Sequence, residues 1–153
     1  MDFAWTQREL ELKSSLQQFI EKEIKPHMTG WYRDDEIPRQ FFAKMADEGF
    51  LGYLESEGRW VEAPMLDQVI VSQAVAEVSP GIAVGVMAHA GLGLYALYRF
   101  GNEEQKVRYF LPGVKGQKIS AFANTEPIAG SDVANIGLQA RPVSGGYLLN
   151  GTK

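Results

Sequence analysis

The period of the hydrophobic pattern changes once along this chain, near residues 114–117, and this change constrains the fold more than any other feature. Before it, apolar residues such as Leu12 and Leu16 recur every three or four positions, as on one face of a helix. After it, short apolar runs are separated by turn residues, which is typical of strands. The sequence therefore predicts an N-terminal all-α domain over residues 1–116 and the first strands of a β-domain over residues 117–153.

Capping residues, prolines and glycines delimit five predicted helices in the first region. Thr6 and Glu9, for example, form a capping box, in which each side chain accepts a hydrogen bond from the other residue's backbone N–H. The predicted helices cover residues 6–25, 38–49, 65–78, 79–98 and 102–112. Residues 27–37 are interpreted as a connection with at most one turn of helix, and residues 51–64 as irregular.

Three strands are predicted after the change of period. They cover residues 118–125, 136–143 and 147–149. Ser144, Gly145 and Gly146 would form the turn of a hairpin between the last two, because glycine accepts the positive φ that such turns need. The chain shows no internal repeat and no low-complexity segment, so we expect one ordinary domain, or a small domain and part of another.

The longest apolar run covers residues 81–98, and its 18 residues are long enough to cross a membrane. His89 and four glycines interrupt the run, and the other predicted helices are amphipathic in the manner of soluble proteins. We therefore predict a buried central helix and no membrane span. Its small residues, Gly85, Ala88 and Gly91, would let a neighbouring helix or a ligand approach the backbone closely.

Charge and composition argue against several classes of function. A net charge of −4 without a basic patch argues against nucleic-acid binding. The chain has no cysteine, so disulfide and thiol chemistry are excluded. His27 and His89 lie far apart in sequence, and no metal site is predicted. The N-terminus lacks the basic and apolar regions of a signal peptide, so we expect a cytoplasmic protein.

Residues 122–132, which read F-A-N-T-E-P-I-A-G-S-D, join the predicted strand to a tight loop. Pro127 ends the apolar run, and Gly130 can take a positive φ. Consecutive backbone N–H groups in such a turn form a concavity that suits a phosphate or another anion, and Ser131 adds a hydroxyl donor. Most short glycine loops are plain turns, so the loop alone is weak support for a binding site.

The whole sequence T-E-P-x-A-G-S-D, however, closely resembles the signature of the acyl-CoA dehydrogenase family. Residues 98–106 and 109–112 resemble the passage that precedes this signature in the family, and residues 145–153 resemble a segment that follows it. The resemblance covers nearly the whole chain in the same order and spacing. It implies a multi-domain α and β fold, in which the helical domain is followed by a middle β-barrel-like domain. The departures from the family pattern are Asn124, Ile128 and Asn135.

The resemblance implies FAD-dependent α,β-dehydrogenation of an acyl-CoA thioester, a reaction of fatty acid metabolism. FAD would be the hydride acceptor, acyl-CoA the substrate and electron-transfer flavoprotein the partner, and we expect a homo-oligomer. The family's catalytic base is a glutamate in a C-terminal helical domain. No catalytic residue is therefore expected in this chain, and we expect residues 1–153 to be inactive alone.

The resemblance also implies the site residues. Thr125 would hydrogen-bond near the reactive nitrogen of the flavin, with the backbone of Asn124 and Thr125 facing its pyrimidine end. Ser131 would lie on the phosphate side and also contact the substrate. The full FAD-binding set is Phe122, Ala123, Asn124, Thr125, Glu126, Pro127, Gly130 and Ser131. The acyl chain is expected to contact Val84, Gly85, Ala88 and Leu92.

Two residues of this chain are alternative candidates for a general base. Glu126 lies inside the motif, but we expect it to make structural hydrogen bonds in the loop. His89 could accept a proton, although a lone histidine on an apolar helix is more often packed with its polar atoms satisfied. Two functions also compete with dehydrogenation, namely an acyl-CoA oxidase of the same fold, which would react with oxygen, and a non-catalytic helical interaction module.

Overall fold

The computed structural model describes residues 4–153, and the chain divides into two compact units. The first unit ends at Ala121 and is helical apart from one hairpin, and the second runs from Phe122 to Lys153 and contains a loop and a hairpin. The prediction of a helical domain followed by strands is confirmed. The change of hydrophobic period near residue 116 lies inside the first unit, and the predicted domain limits stay a prediction.

The helices are α1 Gln7–Phe19, α2 Met28–Asp34, α3 Arg39–Asp47, α4 Met65–Val78, α5 Pro80–Met87, α6 Tyr95–Phe100, α7 Glu103–Gln105 and α8 Leu111–Val114. Three π-helical stretches extend or join them: Ile20–Ile24 extends α1, Ala88–Leu94 joins α5 to α6, and Lys106–Phe110 joins α7 to α8. The strands are β1 Tyr53–Ser56, β2 Arg59–Glu62, β3 Gln139–Val143 and β4 Gly146–Asn150, and a 3-10 turn covers Val133–Asn135.

The predicted helix boundaries are set by side-chain caps. The Thr6 backbone N–H donates to Glu9 Oε2 at 2.7 Å, and the Glu9 N–H donates to Thr6 Oγ1 at 3.3 Å. Asn102 and Gln105 form a second capping box, and Ser79 Oγ accepts a hydrogen bond from a backbone N–H in the first turn of α5. Each cap satisfies backbone groups that a helix leaves unpaired at its start.

Three regions before residue 116 differ from the predicted secondary structure. Residues 27–37 contain the two-turn helix α2, and residues 51–64 contain the antiparallel hairpin β1–β2. The hairpin turns at Glu57 and Gly58, which have φ of 51° and 74°; two consecutive positive φ values match the twist of the strands. Pro112 does not stop the last helix, because it lies in α8, which continues directly from the π-helical stretch Lys106–Phe110.

The largest apolar cluster of the first unit is contributed mainly by α1, α3, α4 and α5, and a second, smaller cluster consists of Tyr53, Ala90, Leu94, Phe110 and Val114. Aromatic rings contact each other edge to face within the largest cluster, with the centroids of Phe19 and Phe50 5.4 Å apart. At its edge, Arg8 on α1 binds both carboxylate oxygens of Asp67 on α4. The largest cluster consists of Leu16, Phe19, Ile20, Ile24, Phe41, Phe42, Met45, Phe50, Leu51, Ile70, Val71, Val75, Ile82 and Val86.

The long helix from Pro80 to Phe100 is buried on one face only. An 18-residue window in this helix has a mean hydropathy of 1.4. By length and composition the helix could cross a membrane, but core helices of soluble proteins pass the same test. Within that window 28% of the residues are buried. The expectation of a helix buried all round is therefore wrong, because the opposite face leaves several large apolar side chains exposed. These side chains are Val84, Met87, Leu92 and Tyr95.

The second unit is built on the hairpin β3–β4. Val143 pairs with Gly146, so the turn consists of Ser144 and Gly145, and Gly145 has a φ of +80°, in the region that favours glycine. This hairpin confirms the prediction for its strands. The predicted strand over residues 118–125 is absent, because a strand needs a hydrogen-bonded neighbour and none of the described residues pairs with this segment.

Candidate functional site

Residues 122–125, at the start of the motif, present unpaired backbone to the solvent. None of their N–H groups donates to another described residue, and the Asn124 carbonyl accepts a hydrogen bond from Lys153 Nζ at 3.0 Å. The Phe122 side chain is 56% exposed, and Thr125 is exposed without a hydrogen-bond partner among the described residues. The segment therefore offers an aromatic surface and several free donors, which fit a flat heterocycle with hydrogen-bonding edges.

The motif then folds back in a tight turn. The Glu126 N–H donates to the Ala129 carbonyl at 2.8 Å, and the Ala129 N–H donates to the Glu126 carbonyl at 3.2 Å. Gly130 does not have the positive φ that the sequence allowed. A Cβ at Gly130 would meet no atom of the chain within 4 Å, and Ser131 beside it is exposed. The backbone after the turn is thus open to close approach by a ligand.

The Glu126 carboxylate holds this turn against the next part of the chain. It accepts hydrogen bonds from the Gly137 N–H at 2.6 Å and from the Leu138 N–H at 3.0 Å, and it pairs with Lys153 at 3.0 Å. The bond from Gly137, with the Lys153 and Leu138 contacts, lowers the pKa of Glu126 below its usual value. The side chain is 4% exposed. Glu126 therefore makes the structural hydrogen bonds expected of it and is poorly suited to take a proton from a substrate.

The residues expected to contact an acyl chain lie on the helix from Pro80 to Phe100, in the first unit. Val84 and Leu92 are exposed on its outward face, and Ala88 lies between them, half-buried. Gly85 points elsewhere, because a Cβ there would lie 3.3 Å from Cδ1 of Ile37. The helix thus brings Val84, Ala88 and Leu92 into one apolar stripe, at the spacing of i, i+4 and i+8.

His89, the other candidate base, is fully buried on the same helix. Both ring nitrogens lie within hydrogen-bond distance of protein groups, at 3.0 Å from Ser120 and 3.2 Å from the Gly113 carbonyl. Burial lowers the pKa of His89, and the bond to Gly113 offsets only part of this effect. With no free nitrogen and no exposure, His89 cannot reach a substrate proton. Among residues 4–153, no group of three or more metal-ligating side chains comes together.

Lys153, Gly137 and Ser120 are partners that the sequence did not reveal. Lys153 binds Glu126 and the Asn124 carbonyl, and Ser120 binds His89. These pairs are separated by 27 to 31 positions in the chain, and no periodicity or local motif links them. The usual rule that a buried polar side chain needs a partner indicates only that such partners exist.

Comparisons with known proteins identify the family and the fold of the chain. The family model of the acyl-CoA dehydrogenase N-terminal domain matches residues 6–117. An acyl-CoA dehydrogenase of Bacillus subtilis (strain 168) is 31% identical over 149 residues, which cover 97% of this chain and 39% of that protein. The crystal structure of an acyl-CoA dehydrogenase from Geobacillus kaustophilus matches with a TM-score of 0.87 and 32% identity, covering 99% of this chain and 40% of that one.

A glutaryl-CoA dehydrogenase from Mycobacterium smegmatis, solved in complex with FADH2, also matches, with a TM-score of 0.86 and 26% identity over 96% of this chain and 38% of that one. The helical domain followed by strands is thus the fold that the N-terminal parts of these dehydrogenase structures share. The chain belongs to the acyl-CoA dehydrogenase family. It spans about 40% of the length of the relatives that it matches.

Proposed function

We propose that this chain supplies the N-terminal helical domain and one wall of the cofactor site of an FAD-dependent enzyme that dehydrogenates an acyl-CoA thioester between its α and β carbons. The observation that supports this most is the motif segment itself. Residues 122–125 leave their N–H groups unpaired, and the turn after them leaves Gly130 and Ser131 open. Water satisfies these exposed N–H groups in the free chain, and a ligand with acceptor atoms can replace that water.

In this proposal, bound FAD supplies the hydride acceptor that no side chain can provide. The exposed hydroxyl of Thr125 would donate a hydrogen bond near the reactive end of the flavin, and the N–H groups of Asn124 and Thr125 would bind its pyrimidine edge. Ser131 would bind on the phosphate side, where exposed N–H groups and a hydroxyl suit an anion. Glu126 would keep the turn in place without contacting the reacting atoms.

The substrate would lie along the apolar stripe of Val84, Ala88 and Leu92. Burial of apolar surface gives roughly 25 cal/mol per Å², so that each added methylene of an acyl chain would increase the affinity. Small Ala88 leaves room between two larger side chains. Bulk introduced there, as in Ala88→Phe, is expected to reduce activity on long chains more than on short ones. Equal losses at all lengths would show that the stripe packs against protein.

We place the catalytic base outside residues 4–153, because Glu126 and His89 are both held by structural hydrogen bonds. Catalysis is therefore proposed for the intact gene product and not for residues 1–153 alone. A cytoplasmic location, a homo-oligomeric assembly and electron-transfer flavoprotein as the electron acceptor complete the proposal. The assembly and the electron acceptor come from the family resemblance.

The test is a flavin titration of the intact gene product followed by anaerobic addition of acyl-CoA esters of increasing length. The proposal expects tight FAD binding and loss of the oxidised flavin absorbance on adding a suitable ester. A product that binds no FAD would refute the proposal and favour the helical interaction module. Rapid reoxidation of the reduced enzyme by air would instead favour an acyl-CoA oxidase.

A further inference from the structure

His89 lies in the π-helical stretch Ala88–Leu94 and is completely buried. The ring of Phe42 meets its imidazole edge to face, with centroids 5.3 Å apart. A buried imidazole is expensive unless its nitrogens are hydrogen-bonded, so the partners of this ring decide what the side chain does.

The hydrogen bonds of His89 fix the tautomer of the ring. The Ser120 backbone N–H lies 3.0 Å from Nδ1 and can only donate, so Nδ1 must be the acceptor. Nε2 lies 3.2 Å from the Gly113 carbonyl, which can only accept, so Nε2 carries the proton. A second proton, on Nδ1, would face the hydrogen of the Ser120 N–H, and the two would repel each other. The ring is therefore neutral.

Two further contacts hold Ser120 against the same helix. Its hydroxyl donates to the His89 carbonyl at 2.8 Å. Gly93, one turn further along, faces it so closely that a Cβ would lie 2.4 Å from Ser120 Oγ and 2.6 Å from its Cβ. Residues 119–121 form no helix or strand, so regular secondary structure does not fix their path. The contacts with His89 and Gly93 therefore determine where the chain runs at Ser120.

We propose that His89 is a positioning residue for the cofactor site: its neutral imidazole fixes the chain at Ser120, two residues before the motif segment begins at Phe122. This inference rests on the proposed function, because the segment that starts at Phe122 is the one proposed to bind FAD. Residues 122–125 follow Ser120 closely in the chain, so a fixed Ser120 would anchor the start of the segment whose free N–H groups would bind the flavin. His89 itself touches neither the cofactor nor the substrate.

The matched variants His89→Asn and His89→Gln separate the two ring contacts in the intact gene product. An Asn amide oxygen stands next to Cγ, where Nδ1 stands, and can still accept from the Ser120 N–H. A Gln amide reaches the position of Nε2 and retains the Gly113 contact while losing the Ser120 contact. We expect His89→Gln to weaken FAD binding by up to about tenfold, as for one lost hydrogen bond, and His89→Asn to bind nearly as the parent does.

Gly93→Ala and Gly91→Ala form a second matched pair that leaves His89 in place. Both replace glycine by alanine in the same π-helical stretch. A Cβ at Gly91 would make an ordinary 3.6 Å contact with Met87, whereas a Cβ at Gly93 would displace Ser120. We expect Gly93→Ala to weaken FAD binding and Gly91→Ala to leave it unchanged. This pair decides the question if a His89 variant does not fold.

Amide hydrogen exchange at Ser120 distinguishes a failure of this inference from a failure of the proposed function, since it needs no flavin. Faster exchange in His89→Gln and Gly93→Ala, with parent-like exchange in His89→Asn and Gly91→Ala, would support the role of His89. Equal exchange at Ser120 in the parent and all four variants would overturn the positioning role of His89. FAD affinity that follows thermal stability alone would overturn it as well. A parent that binds no FAD would refute the proposed function, and the exchange pattern would still test the fixing of Ser120.

Discussion

Different interactions stabilise each of the two units of this chain. The helical unit buries a continuous cluster of large apolar side chains. In the second unit Glu126 and Ala129 are the only buried residues, and every residue of β3 and β4 is exposed. A fully buried large apolar side chain contributes about 1.5–3 kcal/mol, a source of stability that the second unit lacks. The shape of the motif loop therefore depends on the polar contacts of Glu126 and on hairpin pairing.

The two units of this chain therefore suit different tasks. A packed helical core is costly to deform and provides a rigid support. A loop arranged by a carboxylate and a few N–H groups keeps its backbone accessible, which a cofactor site requires. The same loop is correspondingly sensitive to the loss of one charge.

The largest contrast is expected from a matched pair of leucine truncations in the 153-residue chain. Leu16 is 0% exposed and Leu149 is 64% exposed. Leu16→Ala should cost about 2–5 kcal/mol, because it leaves a cavity in a packed core. Leu149→Ala should cost less than about 0.5 kcal/mol. Urea unfolding followed by circular dichroism measures both, and similar costs would contradict the division between a packed and an unpacked unit.

Removing the charge of Glu126 should loosen the second unit and leave the first unchanged. Glu126→Gln keeps the shape but loses the ion pair with Lys153 and weakens acceptance from the Gly137 and Leu138 N–H groups. Amide exchange at these two residues should become faster, whereas exchange in α1 should not change. Glu103→Gln is the control, because the Glu103 side chain is 92% exposed. Unchanged exchange at Gly137 would show that the hairpin alone fixes the loop.

Acidification should affect the two units in different pH ranges. The pKa of His89 is lowered from 6.5, so the unfolded chain binds more protons below pH 6.5 and the helical unit loses stability as the pH falls below that value. The pKa of Glu126 is lowered from 4.5, so its contribution is present above pH 4.5 and is lost as the pH falls through the lowered pKa. Tryptophan fluorescence reports the helical unit, since all three tryptophans precede Ala121.

The control for the range below pH 6.5 is the variant His89→Asn, because an asparagine side chain does not titrate. Melting temperatures of the parent should decrease between pH 6.5 and 4.5, and the slope should be shallower in the variant. An identical slope in both proteins would show that groups other than His89 determine the stability of the helical unit in this range.

The smallest predicted effect concerns the exposed hydroxyl of Thr125, which is proposed to bind the cofactor and does not stabilise the fold. Thr125→Val keeps the shape of the side chain and removes a hydroxyl with no partner among the described residues. FAD affinity or the rate of flavin reduction in the intact gene product should fall by up to about tenfold, or about 0.5–1.5 kcal/mol, with the melting temperature unchanged. Thr152→Val, at another exposed threonine, should change neither. Equal effects of the two variants would argue against a flavin contact at Thr125.

The sequence predicted the elements whose signals are local. The capping boxes at Thr6 and Asn102, the limits of α4 and the turn at Ser144 and Gly145 each depend on residues within a few positions of one another. The hairpin β1–β2 was missed because its strands are only four residues long and follow no clear alternation. Its turn residues, Glu57 and Gly58, were the one local signal that could have indicated it.

The contacts that shape the candidate site could not be predicted in the same way. The pairs Glu126–Lys153 and His89–Ser120 join distant positions, and their geometry exists only once the backbone is folded. The strand predicted over residues 118–125 shows a second limit of prediction from sequence. A strand-forming composition specifies a strand only where a neighbour pairs with it, and no described residue does.

The central claim, that residues 122–131 line the FAD site, is tested most directly by hydrogen exchange of the intact gene product with and without FAD. Within residues 122–131, the N–H groups other than those of Glu126 and Ala129 bind no described residue, so they should exchange quickly without FAD and become protected on its addition. The hairpin β1–β2, which lies outside the proposed site, should exchange equally in both states. Protection by FAD that leaves residues 122–131 unchanged would contradict the assignment of the motif to the flavin.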